Sequence, residues 1–179
     1  MTIAKRVAAF AGLLLLACGS SSPPVDLSSD ARSPLASRGA EPAVTGHADF
    51  TRGTTGFRYS INAIVHTDST VSGEFEEHVD LPTGVTQKAH ATVTCVTVEP
   101  DGRTARLGGV IDRTENIVLP PGFVEGFITV RDNGEGADDP PDQMSVVGVG
   151  VAGTAEAHCA TGLKRNPGPI DHGNIQVRP

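Results

Sequence analysis

The amino-acid sequence predicts an all-β fold: a small antiparallel meander β-barrel of about eight strands, with a β-sandwich as the alternative. Three observations carry this expectation. Apolar and polar side chains alternate along Phe57–Val65. Proline- and glycine-bearing breaks punctuate the chain between strand-like runs at roughly 10–15-residue spacing. No stretch of about ten residues carries a helical apolar stripe.

Strands are expected at Gly46–Thr51, Phe57–Val65, Val71–Val79, Ala89–Val98, Thr104–Arg113, Phe123–Arg131, Gln143–Ala152 and Asn174–Val177. The second is the clearest. Phe57, Tyr59, Ile61, Ala63 and Val65 share one face, while Arg58, Ser60, Asn62 and Ile64 share the other, which is the period of a half-buried antiparallel strand. Leu81-Pro82-Thr83-Gly84 separates the third strand from the fourth. In the fourth, Cys95-Val96 breaks the alternation and predicts a β-bulge. Glu99-Pro100-Asp101-Gly102 then makes a hairpin: proline presets φ at the first turn position, and glycine tolerates the left-handed conformation at the last. Leu119-Pro120-Pro121-Gly122 precedes the sixth strand. Gly108-Gly109 and Gly148 suit the tight corners of a small barrel. One short helix is expected at Thr154–Ala160.

The amino-terminal part has a different character. Lys5 and Arg6 precede an apolar run from Val7 to Leu16, about ten residues and too short to span a bilayer as a helix. That is the anatomy of a secretory signal peptide. Its end, Leu15-Leu16-Ala17-Cys18, resembles the lipobox of bacterial lipoproteins. The resemblance implies export, cleavage before Cys18, acylation of Cys18 with more than one chain such as palmitate, and firm anchoring. An ordinary signal peptide cut elsewhere, with Cys18 discarded, is the alternative. The resulting division is residues 1–17 as signal peptide, 18–43 as lipidated cysteine and tether, and 44–179 as one β domain. The tether reads as a disordered Ser/Pro/Gly linker with a reach of roughly 25–30 Å. Gly19 and Ser20 follow the anchor, and neither is the aspartate that retains some lipoproteins at an inner membrane. The resemblance therefore implies the outer membrane of a two-membrane cell, or the outer face of the plasma membrane where there is one.

Composition narrows the function. The formal charge is −7, and loss of Lys5 and Arg6 with the leader, which holds no acid, takes it to −9. An acidic surface repels phosphate backbones, so nucleic acid is not an expected partner. There is no tryptophan and one tyrosine, Tyr59, which leaves little for a sugar-stacking platform or an aromatic hot spot. With Cys18 acylated, Cys95 and Cys159 remain as a pair in an oxidising compartment and are expected to form a disulfide. A metal or redox pair involving His158 is the alternative, although the cysteine spacing matches no zinc site.

The densest polar feature is Asp132–Asp142, where Asp132, Asn133, Glu135, Asp138, Asp139 and Asp142 offer hard oxygen ligands on a glycine-bearing turn. Calcium would take such ligands, but the spacing departs from the EF-hand loop, and a solvated acidic loop is the competing reading. The segments Asp132-Asn133-Gly134-Glu135 and Gly173-Asn174-Ile175 also resemble a domain of secreted bacterial proteins of unknown function. That likeness covers roughly the last 90 residues and implies a β domain without an activity. Gly148-Val149-Gly150-Val151-Ala152-Gly153 spells a dinucleotide-binding pattern, yet the long crossover helices that such a site needs are missing. His47, His66, His78, His90, His158 and His172 show no paired spacing and read as solvent-facing strand residues; His78, near Glu76, Glu77 and Asp80, is a candidate surface metal ligand. No Gly-x-Ser-x-Gly elbow marks a serine hydrolase.

The expected protein is thus a lipid-anchored cell-envelope protein. Its β domain would be non-catalytic and would bind an envelope partner or small ligand. An envelope hydrolase and a calcium-stabilised structural or adhesion module are the alternatives. No catalytic residue and no cofactor other than calcium is assigned from the sequence.

Overall fold

A computed structural model describes residues 41–136, 138–162 and 165–179. Cys18, the expected leader and most of the expected tether lie outside these residues. Six long strands follow one another as an antiparallel meander: β1 (Ala43–Arg52), β2 (Thr55–Val65), β3 (Val71–Asp80), β4 (Thr86–Val98), β5 (Thr104–Glu115) and β6 (Phe123–Arg131). The expected strand Gln143–Ala152 is divided. β7 (Gln143–Met144) pairs with the end of β6 and β8 (Gly148–Val151) with its beginning. Helix α1 (Thr154–Thr161) follows, then β9 (Gly168–Pro169) beside β7, and β10 (His172–Arg178) beside β1.

The all-β class and the meander are present, and the sheet curls into an open half-barrel. The path runs β10-β1-β2-β3-β4-β5-β6-β7-β9, and no ladder joins its two ends among the described residues. Proline explains the short final strands. Pro140, Pro141, Pro167 and Pro169 bring no N–H to a ladder, so pairing there stops after two residues.

Inward side chains fill the concave side. Val44, Leu107, Ile128, Val130, Met144 and Ile175 are fully buried. Each such side chain contributes about 1.5–3 kcal/mol relative to exposure. Phe50 stacks on Phe57 and Tyr59, with centroids 5.3 and 5.6 Å apart. Two register shifts interrupt the β4–β5 ladder. One leaves Thr94 unpaired on β4, next to the expected bulge at Cys95. The other leaves Asp112 unpaired on β5 and has no signature in the sequence.

Helix α1 is short and lacks an amphipathic pattern, so tertiary contacts hold it. The Glu125 carboxylate on β6 accepts the Gly153 and Ala155 N–H groups at 3.0 and 2.8 Å, satisfying its amino terminus. The Cys95–Cys159 disulfide ties α1 to β4, with Cα atoms 6.2 Å apart and a sequence separation of 64. Gly108 permits this approach: a Cβ there would lie 2.7 Å from the Ala155 Cβ. The glycine serves helix packing, where the sequence suggested a barrel corner.

Candidate functional site

Strand β3 is half-buried, and its outward residues form a row at every second position: Ser72, Glu74, Glu76, His78 and Asp80. Its inward residues Phe75 and Glu77 join the interior. β2 brings Arg58, Ser60 and Asn62 to the outer face opposite His78, Glu76 and Glu74, while β4 brings Thr86, Lys88, His90 and Thr92. Cross-strand neighbours on one face lie close enough to interact, so register alone assembles an acid–histidine stripe.

The stripe is internally bonded. Arg58 Nη2 donates to Asp80 Oδ2 at 3.1 Å, and Thr86 Oγ1 donates to Asp80 Oδ1 at 2.7 Å. The Thr86 hydroxyl, and then Arg58, hold the Asp80 carboxyl below its ordinary range. His78 Nε2 lies 3.0 Å from Glu76 Oε1, a bond that lowers the Glu76 carboxyl similarly. Lys88 Nζ pairs with Glu115 Oε2 at 3.0 Å. Two shallow depressions of about 180 and 160 Å³ flank the row and share Glu76.

His90 is the most constrained member. Its Nε2 is 3.0 Å from Glu74 Oε2 and its Nδ1 is 2.6 Å from Asp112 Oδ1. The second bulge is what brings Asp112 within reach, and Thr92 Oγ1 donates to the same carboxylate at 2.6 Å. Hydrogen bonding to Glu74, and then to Asp112, raises the His90 pKa above its ordinary value. The two carboxylates approach opposite ring nitrogens, so they cannot share one ion with the imidazole. Among the described residues, no group of His, Cys, Asp or Glu side chains is arranged to hold a metal.

At the β2–β3 hairpin the same face ends in a different arrangement. His66 Nε2 lies 2.7 Å from Ser72 Oγ, and His66 Nδ1 lies 3.4 Å from Glu41 Oε2. Sequence reading did not connect these three residues. The signal available was the closeness of His66 and Ser72 across a tight turn; Glu41 is distant in sequence and joins only through the β1–β2 pairing.

A buried polar pair joins β2 and β3. Tyr59 and Glu77 face each other across β2 and β3, and the Tyr59 hydroxyl donates to Glu77 Oε1. Burial is the leading cause that raises both the Glu77 carboxyl and the Tyr59 phenol above their ordinary values. The Val147 N–H donates to the Tyr59 hydroxyl at 3.4 Å, which ties the β7–β8 link to the concave face.

The acidic loop expected to offer calcium ligands is a clasp on β10. Ile175 N–H donates to Asp142 Oδ2 at 2.7 Å, and Val177 N–H donates to Asp132 Oδ2 at 3.0 Å. Asn174 Nδ2 and Gln176 Nε2 both donate to Glu135 Oε1, at 2.9 and 3.0 Å, which lowers the Glu135 carboxyl. Asn133 N–H donates to Asp142 Oδ1 at 2.8 Å, its Nδ2 donates to Pro141 O, and Gly136 N–H donates to Asp139 Oδ2 at 2.7 Å. Asp138 is exposed. Side-chain carboxylates thus bond the edge of β10 where a neighbouring strand would stand in a closed barrel.

His47 and His172 are exposed on strands, and His78 and His90 face outward. His158 departs from the solvent-facing expectation: it is fully buried in α1, with Nε2 3.0 Å from Ile128 O. Gly148–Gly153 runs from β8 into α1, but β8 is antiparallel to β6 and the helix spans only 8 residues. The dinucleotide context is therefore missing. Among the described residues, no helix is long and apolar enough to cross a membrane. Comparison with models of protein families, with curated proteins and with solved structures finds no match.

Proposed function

We propose that the chain is a lipid-anchored cell-envelope protein whose β domain docks a basic envelope partner through the outer stripe of β2–β5. The observation that carries this reading is the alternate-position row Glu74, Glu76, His78 and Asp80, presented on a rigid sheet. The packed interior favours a surface site over an enclosed one: the concave side is occupied by side chains such as Phe50, Phe75 and Leu107. Acidic groups outnumber basic ones in the whole chain, 21 to 14, so a partner presenting lysine or arginine meets a complementary field. A disulfide closing a 64-residue separation suits an oxidising compartment. The Cys18 anchor and the Ser/Pro tether would hold the domain clear of the headgroups.

Two arms of one experiment test the reading on the full chain in its native envelope. Detergent phase partitioning should follow the wild-type chain into the detergent phase and leave Cys18→Ala in the aqueous phase. A photo-crosslinking side chain at Ser60 should capture one partner in a salt-sensitive manner, and the same group at exposed Thr83 should not. Equal partitioning removes the anchor, and equal capture at both positions removes the docking face.

A further inference from the structure

The Glu41–His66–Ser72 line goes beyond docking. Its backbone is fixed on all sides. Val65 N–H donates to Pro42 O at 2.8 Å, which sets Glu41 beside the hairpin. His66 N–H donates to Thr70 O and His66 O accepts the Ser69 N–H, both at 2.8 Å, with Ser69 at φ 67 closing the turn. Glu41 Oε1 accepts the Thr67 N–H at 3.4 Å while Oε2 faces the imidazole. Ser72 Oγ lies within hydrogen-bond distance of Nε2 and the Glu41 carboxylate at ion-pair distance from Nδ1; with the ring proton assigned to Nδ1, toward the carboxylate, the Nε2 lone pair faces the Ser72 hydroxyl.

The geometry points to Ser72 as a nucleophile toward activated acyl groups, with His66 as its general base and Glu41 as the positioning residue. Ser72 Oγ bonds to the acyl carbon as its proton passes to His66 Nε2. The carbon–leaving-group bond then breaks, and the departing oxygen or sulfur takes that proton from His66. Water, deprotonated by the same imidazole, cleaves the acyl-serine and regenerates the hydroxyl. Openness decides the substrate class. The His66 and Glu41 side chains are 37 and 40 % exposed, and Glu41 borders an open surface depression with Ala43, Ile64 and Arg178. Small esters and thioesters with good leaving groups fit such a site; peptides, whose amine leaves poorly, do not.

The test uses the full oxidised chain, a fluorophosphonate probe with peptide mapping of the adduct, and p-nitrophenyl acetate turnover. The adduct should concentrate on Ser72. His66→Gln should lower both labelling and turnover by about 100-fold, a typical general-base contribution. Glu41→Gln should lower them less, and imidazole added to His66→Gly should restore labelling, which a merely structural role for His66 would not allow. Thermal midpoints of all variants report folding. An adduct spread over exposed serines without preference for Ser72, or labelling unchanged in a folded His66→Gln, overturns the assignment. Should the variants fail to fold, the wild-type map still decides, since an unlabelled Ser72 is sufficient to reject it.

Discussion

Removing the Asp142 carboxylate should open the clasp between the acidic loop and β10. Asp142 is only 6 % exposed and accepts two backbone donors, Asn133 N–H at 2.8 Å and Ile175 N–H at 2.7 Å. Both donors belong to buried residues. An unsatisfied buried donor costs about 1–3 kcal/mol, so Asp142→Ala should lose roughly 2–6 kcal/mol. For a domain of this size each kcal/mol moves the midpoint by about 3 °C, which places the variant on the order of 10 °C below wild type. Asp142→Asn keeps one acceptor and turns an N–H₂ toward the other donor, so it should fall between the two. Asp138→Ala, an exposed carboxylate of the same loop, should stay within about 0.5 kcal/mol. Urea and thermal unfolding followed by circular dichroism, each with calcium and with chelator, measure all four proteins. The reasoning fails if Asp142→Ala unfolds with Asp138→Ala. It fails equally if calcium raises the wild-type midpoint and Asp142→Ala abolishes that rise, because the loop would then be a metal site.

Three further outcomes follow from particular contacts. The fold favours protonated His90, so its contribution is fully present below the unfolded value near pH ~6.5 and is lost as pH rises through the elevated folded pKa. A histidine titration by NMR should place that midpoint above the ordinary histidine value, and His90→Gln should flatten the fall in stability on the alkaline side; a midpoint below the ordinary value refutes the clamp. Burial also raises the Glu77 carboxyl, so stability linked to this group declines as pH climbs above its unfolded value near ~4.3. Glu77→Gln should therefore gain on wild type between acidic and neutral pH in melting curves, and a constant difference across that range would contradict the assigned cause. Paired Cys95→Ser and Cys159→Ser substitutions should cost about 4 kcal/mol by loop-closure entropy in urea titrations, and a loss under about 1 kcal/mol would show that the bridge does not constrain the unfolded chain.

The strands were legible because alternation is local. Phe57–Val65 announced its two faces from its own residues, and the turns at Leu81–Gly84 and Glu99–Gly102 fell where proline and glycine require them. The disulfide was legible by elimination once export was assumed. The stripe was half-legible: the row Ser72, Glu74, Glu76, His78 and Asp80 is written in β3 itself, yet its partners sit on β2, β4 and β5. His90 meets Asp112 because of a bulge that no composition signal marks. The acids of Asp132–Asp142 were legible as a cluster, but the backbone donors that Asp142 and Asp132 meet on β10 were not, because those donors lie 33 and 45 residues away.

From its own order of residues the chain determined the all-β class, most strand positions, the cysteine pair and the acidic character. Register, long-range pairing and burial determined the rest: the open sheet, the clasp of Asp132, Glu135 and Asp142 on β10, the buried Tyr59–Glu77 pair, and the line from Glu41 through His66 to Ser72. The physical reason is range. Side-chain period and turn geometry depend on neighbours a few residues away. A hydrogen bond such as Ile175 N–H to Asp142, between residues 33 apart, exists only after the strands between have paired.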